Sequence, residues 1–445
     1  MSVMVPLALF GWPILTIAGF VLMRPRIAVI VAYVVGFLFL PVYRYDLPLI
    51  PDYDKVAATN IGALLGVLAF DLGRVLTFRL RPLDLVVVAW MAAPALADYA
   101  NDLGLYSGAA AILRSFITWG IPWLIGRLYF SNVDGLRALA FGVIAGGLVY
   151  VPLCLWEVRM SPQLHHKLYG FHQHAFGQSV RGDSYRPMVF LEHGLMLGMW
   201  MTMATLFAAI VLWTRAAPAR LQKLWPWLTL ALAGTTVLCR SMGALILLIA
   251  GVVAFQEAKR MRRARLAWAM VLVPPLYVVL RLTGAFTGDA LVEFIESINP
   301  ERAESLAYRQ SAEKVFIAHA MKSPWFGWGG YGRMFPPIEE GADEFAIDGL
   351  WIIAFGSSGY YGVTTLLLTL LAPVVVFLRN CPARFFAVVP HTFAAMFALV
   401  LLLNAIDCLP NAMIDPIFIL GLGGLAGISA SVPRADVTMP VACIR

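Results

Sequence analysis

The chain has 445 residues, of which 60% are hydrophobic and 13% are charged, and its formal net charge at pH 7 is +7. Soluble domains contain about 45–50% apolar residues, so this composition argues against a water-soluble fold. The positive charge lies in loops between apolar runs, without the basic and aromatic stripe that binds single-stranded nucleic acid. No nucleic-acid partner is therefore expected.

Long apolar runs divide the sequence into candidate membrane spans. Because a span needs about 20 mostly apolar residues, the pattern predicts an all-α, polytopic integral membrane protein with about 12–13 transmembrane helices. Residues 1–445 are expected to form one membrane domain, with two larger loops, at about 157–190 and 283–348, that carry short helices. The first run, Val3 to Met23, lacks the basic leader and cleavage site of a signal peptide, so we expect it to be a retained span.

Basic residues fall in alternate short loops, which the positive-inside rule assigns to the cytoplasm. These residues are Arg24 and Arg26, then Arg74, Arg79 and Arg81, then Arg127 and Arg137, then Arg215, Arg220 and Lys223, then Lys259 to Arg265, then Arg379 and Arg384. The loops between them contain Asp46, Asp52 and Asp54, then Asp98 and Asp102, then a histidine-rich stretch, then the segment from Thr283 to Asp348. The sequence therefore predicts four outer loops, an external N-terminus and an internal C-terminus.

The first outer loop contains Asp52-Tyr-Asp54, which has the spacing of a D-x-D metal-sugar motif. Two aspartates beside Pro48 and Pro51 more often form a turn, and we favour that interpretation. Arg114 lies within a later apolar run, where an unpaired charge is costly. We expect it to pair internally or to extend toward the interface.

Cysteine and histidine spacing bears on metal binding. The five cysteines, Cys154, Cys239, Cys381, Cys408 and Cys443, are scattered without a C-x-x-C pair, which argues against a disulfide scaffold and a zinc ribbon. The histidine-rich stretch offers imidazoles at His165, His166, His172 and His174, but their spacing fits no zinc template. We favour an ordered loop whose histidines hydrogen-bond the backbone or substrate hydroxyls, and we expect no metal or other cofactor.

The same polar stretch contains two arginines, Arg181 and Arg186. Pro187 fixes the backbone just after Arg186 and suits the first turn of a helix. Arg186 is therefore expected at the outer, N-terminal end of the next helix, where anions bind.

A further helix is predicted in the second large outer segment. Asn299-Pro300-Glu301 is typical of an N-cap, a first-turn proline and a first-turn acid, and Lys322-Ser-Pro324 ends the helix. The helix is amphipathic and is expected to lie on the outer surface or across a cavity mouth. Its Arg309 is expected either to face an anion or to form an i, i+4 pair with Glu313.

The turn from Trp325 to Gly332 is rich in glycine and aromatic residues. Flat aromatic faces suit sugar rings. An interfacial aromatic belt is the alternative explanation.

Two more arginines lie at predicted outer ends of spans. Arg240-Ser241 interrupts an apolar hairpin, and Arg281 closes the next span. With Arg186 and Arg309 they offer four guanidinium groups to one outer cavity, and guanidinium pairs bidentately with phosphate. Snorkelling explains each arginine alone but does not readily explain all four.

Four motifs follow one another through the last two-thirds of the chain. They are Arg186-Pro187 followed by Glu192-His193-Gly194, Arg240-Ser241-Met-Gly-Ala244, the Arg309 helix ending in Ser323-Pro-Trp-Phe-Gly-Trp-Gly-Gly330, and Asp348-Gly-Leu-Trp before Gly359-Tyr-Tyr-Gly362. In order and spacing this set resembles the O-antigen ligase and polymerase superfamily. The first third of the chain is similar only in its hydrophobic pattern and FGWP opening.

The resemblance implies a metal-independent, inverting, GT-C-type glycosyltransferase at the periplasmic face of a bacterial inner membrane. Its implied donor is a glycan on undecaprenyl pyrophosphate and its implied acceptor is a glycan or lipid A core, with membrane lipids and a chain-length regulator as further partners. Arg186 and Arg240 match arginines that bind the pyrophosphate in the family. The residue pattern adds Arg309, Arg281 and Arg181 as candidates.

Ligases of this family carry a catalytic histidine at the head of the helix after the second large outer loop, where this chain has Asp348. That departure favours a polymerase of O-antigen or exopolysaccharide repeat units. Asp348 and His193 are the candidate bases for the acceptor hydroxyl. The structural alternatives are a helix N-cap for Asp348 and a hydrogen bond to neighbouring backbone or to Glu192 for His193.

Three other functions stay open. One is a ligase that transfers the glycan to lipid A core. A lipid-linked oligosaccharide flippase, which is a transporter, predicts cations through the depth of the membrane, whereas these arginines cluster at the outer ends. A structural assembly subunit would not need four outer arginines.

Overall fold

A computed structural model of the chain describes residues 2–47, 51–181, 184–297, 300–330, 332–336, 347–413 and 415–429. It is 75% helical. Within these ranges its one sheet is a hairpin of two-residue strands, β1 (Val180–Arg181) and β2 (Ser184–Tyr185), which pair antiparallel. The all-α prediction is confirmed.

The described ranges contain eighteen α-helices. In chain order they are α1 (Met4–Leu22), α2 (Pro25–Phe39), α3 (Lys55–Phe70), α4 (Leu72–Leu76), α5 (Pro82–Ala100), α6 (Gly104–Ser115), α7 (Ile121–Tyr129), α8 (Val133–Met160), α9 (Leu164–Tyr169), α10 (Gly194–Trp213), α11 (Trp225–Leu238), α12 (Met242–Met261), α13 (Arg265–Leu282), α14 (Asp289–Glu296), α15 (Pro300–Ala320), α16 (Leu350–Asn380), α17 (Thr392–Asp407) and α18 (Pro416–Ser429). A π-helical turn at Phe116–Gly120 joins α6 to α7 without a break. Short 3₁₀ turns lie at Phe176–Ser179, Ala219–Leu221, Gly332–Met334 and Ala383–Phe385.

Eight helical segments in the described ranges are long and apolar enough to cross a membrane: α1, α5, the segment from α6 to α7, α8, α10, α12, α13 and α16. Five further apolar helices, α2, α3, α11, α17 and α18, are shorter. The chain is therefore a multi-pass membrane protein, as its composition predicted.

The centre of the bundle is formed by α10 and α17, whose residues are buried on nearly all sides. A helix that is apolar all round belongs in such a position. Phe207, toward the end of α10, packs on Phe397, near the start of α17, with ring centroids 4.9 Å apart. Phe393, at the start of α17, packs on Phe141, which also packs on Trp225, and Trp225 Nε1 donates to the carbonyl oxygen of Ala208 in the second half of α10. The two helices are therefore antiparallel, and the start of α10 lies at the same end of the bundle as the end of α17.

Loops that the sequence assigned to one face contact each other. Among the predicted outer loops, Asn101 Nδ2 donates to the carbonyl oxygen of Gly327 at 2.9 Å. At the opposite end, Arg81 Nη1 donates to the carbonyl oxygen of Gly427 at 2.8 Å. Each of these two contacts joins segments that the sequence assigned to the same face.

Two predicted boundaries need comment. The helix expected to begin at Pro187 begins instead at Gly194, because His193 has extended backbone and caps it, so that prediction was wrong. The predicted amphipathic helix is present as α15 (Pro300–Ala320), but its predicted N-cap, Asn299, lies outside the described residues.

Candidate functional site

A short hairpin leads the chain to Arg186. Strands β1 and β2 pair Val180 with Tyr185 and Arg181 with Ser184. The main-chain N–H of Arg186 then donates to the carbonyl oxygen of Ser179 at 2.7 Å. The side chain of Arg181 lies outside the described part of the structure, so its predicted anion contact is not placed.

The Arg186 side chain is buried against the N-terminal end of α10. Its stem lies directly on Gly194, because a Cβ added to that glycine would come within 2.2 Å of the Arg186 Cδ. Only 8% of Arg186 is exposed, and its Nη2 donates to the main-chain carbonyl oxygen of Arg240 at 3.1 Å. Although α10 starts later than predicted, Arg186 still reaches its N-terminus, where main-chain N–H groups and the helix dipole favour an anion.

Arg240 occupies the tight connection between α11 and α12. Its φ is +50°, a left-handed conformation that is uncommon for a residue other than glycine. This conformation directs its carbonyl oxygen to Arg186 while its side chain stays exposed. The next residue, Ser241, is buried against α10, since a Cβ at Gly198 would lie 2.8 Å from the Ser241 Cβ. The fold thus brings together the two arginines that the resemblance assigns to the pyrophosphate.

His193 is the N-cap of α10. Its Nδ1 accepts a hydrogen bond from the N–H of Leu195 at 3.0 Å, and its Nε2 lies 3.4 Å from Gln178 Oε1. An accepting Nδ1 assigns the ring proton to Nε2, so neither nitrogen is placed to take a proton from a hydroxyl. The structural alternative for His193, a hydrogen bond to neighbouring backbone, is the arrangement observed.

Arg309 and Asp348 form an ion pair across α15 and the head of α16. Arg309 Nη2 and Asp348 Oδ2 are 3.2 Å apart, with 38% and 46% of the two side chains exposed. The alternative for Arg309, an i, i+4 pair with Glu313, is wrong, because Arg309 pairs with Asp348. The alternative for Asp348, a helix N-cap, is also wrong, because Gly349 is the N-cap of α16. Both groups remain partly accessible to solvent, as a substrate-binding cation and a base must be.

The guanidinium group of Arg281 is bonded to other groups of the protein. It is buried, and its Nε and Nη2 lie 2.9 and 2.8 Å from Glu313 Oε2, while Nη1 donates to the carbonyl oxygens of Phe286 and Thr287. Burial raises the pKa of Glu313, and the Arg281 charge opposes that rise. All three guanidinium nitrogens are therefore engaged, and Arg281 anchors α15 to the end of α13 instead of facing an anion.

The glycine-rich turn docks on a break in α16. Gly359 has φ +64° and ψ −156°, which interrupts the helix. Across the break the N–H of Tyr360 donates to the carbonyl oxygen of Pro324 at 2.7 Å, and the N–H of Trp328 donates to that of Gly356 at 3.0 Å. Main-chain groups freed by a broken membrane helix need such partners. Two motifs of the resemblance that lie far apart in sequence thus form one structural unit.

Aromatic side chains of this turn differ in their surroundings. Trp325 is 71% exposed and contacts Tyr360 edge-on at 5.6 Å, whereas Trp328 stacks on His319 at 4.6 Å. Trp328 is thus a packing residue, whereas Trp325 is open to a sugar or to lipid.

The D-x-D pair has two structural roles. Asp54 is the N-cap of α3, accepting from the N–H of Ala57 at 2.8 Å. Asp52 lies 3.2 Å from Arg44 Nη1 and 3.3 Å from Arg114 Nη2. These contacts agree with the turn interpretation, and Arg114 is paired internally.

The histidine-rich loop is ordered by contacts with the backbone. His165 is buried, with its Nε2 accepting from the N–H of Val42 at 3.1 Å and its Nδ1 2.9 Å from the carbonyl oxygen of Phe171. His166 and His172 stack at 4.6 Å. His165 therefore hydrogen-bonds the backbone, as the favoured interpretation of the histidine-rich stretch predicted.

Sequence reasoning missed Glu157, which lies in the last turn of α8 and is completely buried. It contacts the loop that follows Arg186. The available signal was a lone acid near the end of a long apolar run, a position where ionisable residues are usually functional.

No model of a known protein family and no curated protein matches this chain. The assignment of function therefore rests on the residues and their geometry.

Proposed function

We propose that this protein is a glycosyltransferase of the outer membrane face that polymerises glycan repeat units carried on undecaprenyl pyrophosphate. The observation that carries the proposal is the meeting of Arg186 and Arg240 at the N-terminus of α10. Breaking a sugar–pyrophosphate bond requires stabilisation of the departing negative charge, and preorganised guanidinium groups supply it without a metal.

The finer topology is part of the proposal. If the eight long and five short apolar helices of the described residues all span the membrane, the thirteen spans leave the two termini on opposite sides. The basic loops then favour an external N-terminus and an internal C-terminus. The loops at about 157–190 and 283–348 then face the periplasm of a bacterial inner membrane.

The proposed base, Asp348, lies at the same end of the bundle as Arg186. The N–H of Leu350, which follows Asp348-Gly349, donates to the carbonyl oxygen of Cys408 at 2.9 Å. Cys408 directly follows α17, whose C-terminal end lies beside the start of α10. Asp348 therefore shares an end with the paired arginines, and its role in the proposal is to accept the proton of the acceptor hydroxyl.

Two alternatives are decided by one genetic experiment. Deleting the gene and measuring the length of surface glycans should leave single repeat units attached to core, if the protein is a polymerase. Bare core with lipid-linked polymer accumulating identifies a ligase instead. Loss of every lipid-linked glycan from the outer face identifies a flippase.

A further inference from the structure

The loop between Arg186 and His193 is held in a strained conformation. Val189, which is fully buried, has φ +55°. This left-handed region is unfavourable for a β-branched side chain, and such strain persists only where the surroundings fix it. The identity of those surroundings shows what the strained loop does.

A single buried carboxylate accepts hydrogen bonds from the main-chain N–H groups at and before Val189. Glu157 Oε2 accepts from the N–H of Met188 at 2.8 Å and from that of Val189 at 2.7 Å. Its Oε1 accepts from the N–H of Leu164 at 3.1 Å. A carboxylate offers two acceptor oxygens with several lone pairs, so it suits three N–H donors from two segments.

The carbonyl groups of the same loop have separate partners. Gln173 Nε2 donates to the carbonyl oxygens of Val189 and Leu191, at 3.2 Å each. Lys55 Nζ lies 3.4 Å from the carbonyl oxygen of Phe190. Main-chain groups on both sides of the strained residue are thus fixed from three elements.

We propose that Glu157 is a positioning residue that presets Arg186 for the substrate pyrophosphate. The loop it fixes ends in His193-Gly194, and the stem of Arg186 lies on Gly194. A guanidinium held in place before the anion arrives reorganises little on binding, which is the condition for strong electrostatic stabilisation. This inference rests on the proposed function, because it supposes that Arg186 binds the pyrophosphate.

The test is a double-mutant cycle on the purified full-length protein, with undecaprenyl pyrophosphate in detergent micelles as the probe. The substitutions are Glu157→Gln, Arg186→Lys and the pair together. Glutamine keeps the shape but brings an NH₂ group against the loop N–H donors. We expect each single variant to raise the Kd about tenfold or more and the double variant to be no weaker than the worse single, because residues that act through one another are not additive.

A matched control combines Glu313→Gln with Arg186→Lys. Glu313 is another largely buried acid, but it contacts Arg281. The fold-change in Kd of the control double variant should equal the product of the fold-changes of Glu313→Gln and Arg186→Lys. The same multiplication in the Glu157 cycle, or an unchanged Kd in Glu157→Gln, overturns the inference.

Two further outcomes are distinguishable. If Arg186→Lys binds the probe like wild type, the proposed pyrophosphate site itself fails, whatever Glu157 does. If Glu157→Gln does not fold, the cycle is run with Gln173→Leu, which loosens the carbonyl side of the same loop. Additivity with Arg186→Lys there overturns the inference equally.

Discussion

Arg186 donates a hydrogen bond from its guanidinium Nη2 to the main-chain carbonyl oxygen of Arg240, 3.1 Å away. Through this contact the loop before α10 and the connection before α12 become one structural unit. The carbonyl oxygen of Arg240 orients one arginine while the Arg240 side chain remains exposed to solvent. The arrangement leaves one buried and one exposed arginine side chain at the proposed anion site.

Lysine substitutions test this pair. Arg186→Lys and Arg240→Lys should each lower glycan polymerisation by about tenfold or more, because a point charge does not reproduce the planar fork. Glycan chain length and purified-enzyme rates provide the measurement, at matched protein levels. Arg44→Lys, at an exposed arginine paired with Asp46 and Asp52, is the control and should keep full activity. Normal polymer in both site variants would count against the anion site.

Substitution of Asp348 tests the base. Asp348→Asn should lower the rate by about 100-fold, because a general base contributes roughly 10²–10⁴-fold. The competing explanation is that Asp348 serves only to pair with Arg309. The charge-reversed double variant, Arg309→Asp with Asp348→Arg, restores such a pair but not the base, so it should stay inactive. Recovery of activity in the reversed pair would remove Asp348 from the chemistry.

The break in α16 at Gly359 leads us to predict a loss of folding stability when this glycine is replaced. Gly359→Ala should destabilise the protein by about 3 kcal/mol or more, because its backbone region is accessible essentially only to glycine and the new Cβ would lie 2.4 Å from the carbonyl carbon of Trp325. Thermal unfolding in detergent and membrane yield measure the effect. Gly234→Ala in α11, where a Cβ meets nothing within 4 Å, should be neutral or slightly stabilising. Equal stability of both variants would contradict the described geometry.

His165 predicts a pH dependence. Burial, helped by the charges of Lys55, His172 and His166, lowers its pKa from 6.5 to about 4, although the hydrogen bond to the carbonyl oxygen of Phe171 opposes the shift. The unfolded chain therefore binds a proton near pH 6.5 that the folded protein does not bind until about pH 4. The contribution of His165 to the free energy of unfolding is therefore fully present above pH 6.5. It falls as the pH is lowered toward 4, by about 2 kcal/mol between pH 6.5 and 5.

The measurement is the unfolding temperature of wild type and His165→Gln at pH 7.5 and pH 5. The variant loses the ring's hydrogen bonds, so it should unfold at a lower temperature than wild type at pH 7.5. Because it also lacks the titrating group, the difference in unfolding temperature should be smaller at pH 5. His166→Gln, an exposed neighbour, should follow wild type. A constant gap at both pH values would show that His165 does not titrate in this window.

Sidedness is tested by cysteine labelling from outside intact cells, in a background without reactive native cysteines. Gly170 and Arg262 both have positive φ, so the exposed neighbours His172 and Arg263 are the better positions for substitution. Cysteine at 172 should be modified and cysteine at 263 should not. Glu340, also predicted to be external, lies outside the described residues. Labelling at 263 would reverse the proposed orientation.

The sequence alone determined the class of fold, because burial in lipid requires long apolar helices whatever the tertiary arrangement. It also predicted the start and end of α15, since a proline at a helix start acts locally. Repeating basic loops predict which connections share a face of the membrane, and this sidedness stays a prediction. Each of these signals is carried by neighbouring residues, so no long-range contact is needed to detect it.

Tertiary structure decided which polar residues work together. Arg281 and Arg309 look equivalent in sequence, yet one is buried against Glu313 and the other reaches Asp348. The start of α10 was misplaced because Glu157, distant in sequence, stabilises a loop conformation at Val189 that local propensity disfavours. A charged group's role depends on which partner lies within about 3 Å, and the packing of helices far apart in the chain decides that distance.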